Sequence, residues 1–215
     1  MKTVDLYLYR HGNTFNSGDK VVQVGLKTDL PLTLQGQEQA HAFGHLLNKN
    51  FIEPANIYCG QLKRQTESAA ILHTYLPSSI VNEQSHALNE IDYGNWEGLT
   101  VEEIQARSPK SYEDWNKKAA WPSNIFNHSL RHHLDDLSSL LQTVYDTHDD
   151  QQAAVIVSSN GIIRLFLYFS SVWEMITQKG TMNSYKVKTG HFCKLELNSP
   201  QSLKLISWDN NPSIL

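Results

Sequence analysis

Arg10-His11-Gly12 stands at the end of the alternating run Val4-Asp5-Leu6-Tyr7-Leu8-Tyr9. An imidazole attacks or shuttles protons, a guanidinium grips anions, and a glycine lets backbone come close to a ligand. Three other segments carry comparable chemistry. In Cys59-Gly60-Gln61-Leu62-Lys63-Arg64, Arg64 falls in the first turn of an expected helix. Helix N-terminal N–H groups and a guanidinium together favour an anion. The segment Leu88-Asn89-Glu90-Ile91-Asp92-Tyr93-Gly94-Asn95-Trp96-Glu97-Gly98 sets three carboxylates among two glycines and a tryptophan, the composition of a structured loop. Val157-Ser158-Ser159-Asn160-Gly161 follows an apolar run. Each segment taken singly also fits an ordinary turn or a solvated surface arginine.

The elements that must position these residues alternate along the chain. Val4, Leu6 and Leu8 share one face of a first strand, and residues 12–33 form a long polar loop. Gly36, Ala40, Phe43 and Leu47 then recur at helical spacing, with Thr33 as cap. Ile57-Tyr58-Cys59 reads as a strand, and a helix from about Leu62 to Tyr75 stops before Pro77. Leu130, Leu134, Leu137, Leu141 and Val144 mark one face of another helix. Ala154-Val155-Ile156-Val157 is the continuous apolar run of a central strand buried on both faces. A buried helix is expected over Ile162 to Ile176, followed by strands Phe192–Leu197 and Leu203–Trp208. This order predicts an α/β fold, a three-layer α/β/α sandwich with a mainly parallel central sheet. Ligands in such sheets bind at the carboxyl ends of strands, where His11 and Ser158 fall. One domain over 1–215 is expected, with an insertion or lid at about 99–128 that mixes Trp115, Trp121 and Phe126 with Pro109 and Pro122.

Composition narrows the function classes. The 215 residues are 40% hydrophobic and 19% charged, ordinary for a soluble globular chain. A net charge of −4 and the absence of a basic stripe argue against a nucleic-acid partner. Two cysteines, Cys59 and Cys193, make no disulfide framework, so a reducing, cytoplasmic setting is expected. The apolar stretch around Ile162 contains Arg164 and Glu174 and is too short to span a membrane. His128, His132 and His133 gather at a helix start without an adjoining carboxylate or cysteine pattern, so no metal site is expected there.

Taken together, Arg10-His11-Gly12-Asn13-Thr14, Leu62-Lys63-Arg64 with Ser68-Ala69, Glu90 before Gly94-Asn95-Trp96-Glu97-Gly98, Leu30-Pro31-Leu32-Thr33, and Val157-Ser158 leading to Gly161-Ile162-Ile163-Arg164 resemble the histidine phosphatase superfamily, also called phosphoglycerate mutase-like. The resemblance implies a phosphomonoester hydrolase that acts on a small phosphorylated substrate without a cofactor or metal. His11 would be the phosphoryl-accepting nucleophile and Arg10 and Arg64 the clamp on its oxygens. Asn16 would be an amide donor. Glu90 would protonate the leaving alcohol, with Asp92 and Glu97 as nearby alternatives.

One position departs from that pattern. Where most relatives carry a second histidine, this chain has Ser159 followed by Asn160. Losing one preorganised donor costs about 10²–10³ in rate. His191 or Lys188, at the start of a late strand, is a candidate to supply the missing donor. Two other activities use the same pocket: a phosphoglycerate-type mutase, and a phospho-ligand binding protein with little turnover. The acidic run Leu99-Thr100-Val101-Glu102-Glu103 argues against the mutase, whose relatives are basic there. Intact Arg10, His11, Arg64 and Glu90 argue against simple binding.

Overall fold

The computed structural model describes residues 2–118, 120–179 and 185–214. Its centre is a six-stranded sheet of β1 (Val4–Arg10), β2 (Pro54–Cys59), β3 (Val81–Gln84), β4 (Ala153–Ser158), β5 (Phe192–Ser199) and β6 (Ser202–Asn210). The strand order is β3-β2-β4-β1-β5-β6. The first four are mutually parallel, and β5 runs antiparallel to both β1 and β6. β1 and β4 sit side by side with Arg10 opposite Ser158, so both strands end at one level and deliver His11 and Ser159 to the same edge.

Alternation along the strands sorts two cores. Val4, Leu6, Leu8, Ala154 and Ile156 face α5 (Leu130–Thr147) through Leu137, Leu141 and Val144, and α6 (Asn160–Leu165) through Ile162 and Ile163. Tyr7, Tyr9, Val155 and Val157 face α1 (Leu34–Lys49) through Ala40, Phe43 and Leu47, and α2 (Lys63–His73) through Ala69 and Leu72. Tyr9 stacks on Phe43 with ring centroids 4.7 Å apart. Central strands covered on both faces bury apolar side chains on either side, which is why Tyr7 and Tyr9 of β1 are buried along with its leucines. The three-layer arrangement expected from the sequence is the one observed.

Thr33 caps α1 by accepting the Gly36 N–H, and the Asn13 carbonyl accepts the Thr33 N–H at 2.9 Å. The loop after β1 therefore lies directly on the start of α1. A Cβ on Gly12 would run into the Gly36 carbonyl, so this approach requires glycine.

Two local departures from expectation have physical causes. The apolar stretch 162–176 is not one helix: α6 ends at Leu165, a 3-10 turn spans Phe166–Phe169, and α7 (Val172–Lys179) begins after Ser170 bridges to Leu203. Packing against β6 overrides the local periodicity. Edge strand β3 was not expected, because Val81-Asn82-Glu83-Gln84 is mostly polar and its pairing to β2 is a tertiary fact.

The segment 99–128 holds α3 (Val101–Arg107) and α4 (Pro109–Lys118). Thr100 and Glu103 form a capping box on α3, and Pro109 opens α4 where its missing N–H costs nothing. Trp115, Trp121 and Phe126 meet edge to face at 5.1–5.6 Å and join Trp96 to the core.

Gly12→Ala is expected to destabilise the fold by about 1–3 kcal/mol through the forced contact with Gly36. A urea midpoint lowered at constant slope is the check.

Candidate active site

At the carboxyl ends of β1 and β4 lies a cavity of about 480 Å³. His11, Arg10, Arg64, Glu90, Asn160 and Asn16 all line it. His11 is 5% exposed, and its Nδ1 lies 2.8 Å from the Gly12 carbonyl. A carbonyl only accepts, so the neutral ring carries its proton on Nδ1 and keeps its lone pair on Nε2. Burial first, then the Arg64 and Arg10 charges, hold the imidazole well below its ordinary range. The ring is therefore neutral at physiological pH, with its Nε2 lone pair free.

The arginines are oriented by main-chain carbonyls. Arg10 Nη1 donates to Val187 O at 2.6 Å; Arg64 donates to Thr28 O at 2.8 Å and Gly25 O at 3.1 Å. Arg164 donates to Trp115 O at 3.3 Å and lies 4.9 Å from the Trp115 ring centre. At the helix N-terminus expected to assist Arg64, the Lys63 N–H is taken by Asp29 and the Leu62 N–H by Gln65, and Arg64 itself lines the cavity.

Glu90 is the acid of the cavity. Its Oε1 accepts the Ile91 N–H at 2.9 Å and its Oε2 the Gly161 N–H at 3.3 Å. The Tyr93 hydroxyl bonds to it as well. Burial pushes its pKa up against the pull of those N–H groups and of Arg64 and Arg10. A Cβ on Gly161 would strike both Glu90 and Tyr93, so glycine is needed for the carboxylate to reach the helix start. The two alternative acids point elsewhere: Asp92 pairs with Lys27 at 3.1 Å, and Glu97 accepts from Thr28 at 2.7 Å. Neither lines the cavity.

The remaining expected residues divide. Asn16 is exposed at the rim. Asn160 uses Oδ1 to accept the Val187 N–H at 2.9 Å, which leaves its amide hydrogens for the cavity. Ser159 is fully buried and accepts a hydrogen bond from Gln65 Nε2 at 3.0 Å, so it stands behind the cavity wall. His191 turns away: its Nδ1 sits 3.0 Å from Asp209 Oδ1, and Lys188 is likewise outside the cavity lining. Tyr93, Arg164 and Lys186, to which sequence reading assigned no role, also line it. Arg164 had two signals, its place in the resembling block Gly161-Ile162-Ile163-Arg164 and its position as an arginine inside an apolar stretch; Lys186 had none. Among the described residues no group of three or more histidine, cysteine, aspartate or glutamate side chains is placed to hold a metal ion.

A neutral imidazole, flanking guanidiniums and a carboxyl group with a raised pKa are thus gathered at the strand ends of a three-layer sandwich. The histidine phosphatase superfamily (branch 1) profile matches residues 6–206, and the chain belongs to that superfamily. A 6-phosphofructo-2-kinase/fructose-2,6-bisphosphatase of Caenorhabditis elegans is 28% identical over 165 residues, 76% of this chain and 33% of that protein. Glucosyl-3-phosphoglycerate phosphatase of Mycolicibacterium vanbaalenii is 33% identical over 124 residues, 56% of this chain and 51% of that protein. The chain thus spans about a third to a half of the length of these relatives. In fold it is similar to a mycobacterial glucosyl-3-phosphoglycerate phosphatase (TM-score 0.77, 21% identity, 97% and 99% of the two chains). The alpha-ribazole phosphatase of Shigella flexneri is also similar (TM-score 0.69, 21% identity, 97% of each).

Tyr93→Phe removes a donor to the charged form of Glu90, so the Glu90 pKa is expected to rise further. Carbon-13 NMR titration of the carboxyl group reads this directly, and an unchanged or lower value would contradict the assignment.

Proposed function

We propose that the protein hydrolyses phosphomonoesters through a phosphohistidine on His11. The observation that carries this reading is the neutral His11 ring, protonated on Nδ1 and flanked by Arg10 and Arg64 in a cavity whose one carboxyl group, Glu90, has a raised pKa. Nε2 attacks phosphorus, the P–O bond to the alcohol breaks, and Glu90 gives its proton to the departing oxygen. Water then attacks the phosphohistidine, its proton passes to Glu90, the N–P bond breaks and phosphate leaves. Arg10 and Arg64 hold the equatorial oxygens throughout, aided by the amides of Asn16 and Asn160. No step calls on a metal. The named activities of the relatives, on a fructose bisphosphate and on a glucosyl phosphoglycerate, support a small phosphorylated substrate. The segment 99–128 contributes Val101, Tyr112, Trp115 and Asn116 to the wall, which supports a role in substrate choice.

Incubation with a radiolabelled aryl phosphate is expected to leave an acid-labile phosphoprotein in the unmodified chain and none in His11→Ala. Turnover without any phosphoprotein that His11→Ala abolishes would overturn the mechanism.

Glu90→Gln is expected to lower kcat/KM on an alkyl phosphate by about 10²–10⁴, and less on an aryl phosphate whose leaving group needs no proton. The pH profile follows from the two shifts. Activity needs Glu90 protonated and His11 neutral, so kcat/KM falls as pH rises through the raised Glu90 pKa. It also falls as pH drops through the lowered His11 pKa. An alkaline limb that persists in Glu90→Gln would assign it to another group.

A further inference from the structure

The three histidines at the start of α5 have no task in the proposed reaction, and the fold adds a fourth to them. His128, His132 and His133 lie with ring centroids 5.0–6.0 Å apart. His86 belongs to the 3-10 turn His86–Leu88 that leads to Glu90, and it reaches the group through Asp136. Asp136 Oδ2 is 3.6 Å from Nε2 of His86 and 3.6 Å from Nε2 of His132. It is the one carboxylate paired with these rings among the described residues. The neighbouring charges are matched elsewhere. Arg131 pairs with Asp135 at 3.4 Å, and Asp92, bonded to the Asn127 side chain just before His128, pairs with Lys27 at 3.1 Å.

Protons are unwelcome at this place. The 18 residues of α5 carry no acidic side chain in the first turn. The positive end of the helix dipole lies there, so protonated imidazoles are repelled by the helix as well as by one another. His133 Nε2 is buried and has no hydrogen-bond partner. Protonation puts a hydrogen on both ring nitrogens and leaves that one without an acceptor. Burial first, then the His132 and His128 charges, push the His133 pKa down to about 4. An imidazole held low in this way favours the folded arrangement above about pH 6.5, and that favour drains away as pH falls towards 4.

An aromatic wall of the catalytic cavity rests on this cluster. Trp121 lies 5.3 Å from the His133 ring and donates its Nε1–H to the His128 carbonyl at 3.0 Å. It meets Trp115 edge to face at 5.6 Å and Phe126 at 5.1 Å. Trp115 lines the cavity, and its carbonyl and ring hold Arg164. Phe126 packs on Tyr93, which bonds to Glu90. Trp121 is thus seated between the histidines and the wall of the site.

We propose that the start of α5 is a proton-operated latch: its neutral imidazoles seat Trp121, and proton uptake by the cluster releases Trp121 and loosens Trp115 beside the cavity. Mild acid then weakens substrate binding from a place remote from His11. Each proton bound preferentially by the released form raises the released-to-seated ratio about tenfold per pH unit. The effect on substrate rests on the reading of the cavity as the phosphatase site; the movement of Trp121 does not.

Fluorine NMR of the chain labelled with 5-fluorotryptophan reads the latch without turnover, the signals of Trp115 and Trp121 being assigned by Trp115→Phe and Trp121→Phe. Between about pH 8 and about pH 5 the two signals are expected to move together. In His133→Gln, and separately in His128→Gln/His132→Gln, which alters two exposed rings, the movement at a given acid pH is expected to shrink at least about twofold. Either variant serves if the other fails to fold. Signals unmoved over that range overturn the latch, as does movement undiminished in either folded variant. Movement of Trp121 with Trp115 fixed also overturns it, because the ring would then only sense the charge of its neighbour. KM on an aryl phosphate is expected to rise over the same range, and to rise less in the variants, while the loss of kcat through His11 is common to all. Signals that move with KM unchanged overturn the link to substrate. A failure to form phospho-His11 overturns the catalytic reading instead and leaves the fluorine signals to decide the latch.

Discussion

The site depends on how its arginines are held. Arg10, Arg64 and Arg164 donate to the carbonyls of Val187, Thr28 and Gly25, and Trp115, not to carboxylates. A carbonyl fixes the direction of a guanidinium without cancelling its charge. A carboxylate would have made the folded chain cheaper to form and the pocket electrically inert. Two loops and helix α4 are committed to this task, so the positive field at His11 is a property of the whole carboxyl edge of the sheet. Burial first, and that field second, pull the imidazole pKa well down, while burial raises the Glu90 pKa against the same field. One buried environment thus acts oppositely on a base and an acid.

Much of this was readable in the chain, and for identifiable reasons. β1 and β4 announce themselves through apolar runs, and Thr33 with Gly36, Ala40, Phe43 and Leu47 marks the start and buried face of α1. His11, Arg10, Arg64 and Glu90 lie beside strand ends or glycines, where local sequence and function coincide, and the structure brings all four into one cavity. Local sequence fails where long-range packing decides. Whether Glu90, Asp92 or Glu97 faces the cavity depends on Lys27 and Thr28 reaching across to the other two. His191 sits beside a glycine at a strand start, as a site residue would, yet Asp209 on the neighbouring strand claims its ring. Lys186 has the opposite history: nothing around it in the sequence marks it, and only the pinning of Val187 brings it to the cavity.

The glycines show the same division between local and distant causes. Gly12 is required because Gly36, on the next helix, occupies the space a side chain would need. Gly161 is required because Glu90 and Tyr93 do. In both cases the residue is small because of a partner 24 or more positions away, and the two close approaches bracket the cavity from opposite faces of the sheet.

The link between Arg10 and Val187 joins residues 177 positions apart, and β1 lies between β4 and β5 in the finished sheet. During synthesis the first strand emerges with its histidine long before either neighbour exists. Loop closure over such distances is slow, and the pairing of β1 on both sides waits for the last fifth of the chain. A chain that ends before β4 therefore exposes β1 as an unpaired apolar strand, and one that ends before Val187 lacks the carbonyl that orients Arg10. The environment of His11 is therefore assembled only when folding of this domain is nearly complete, although β1 precedes both of its partner strands in the chain.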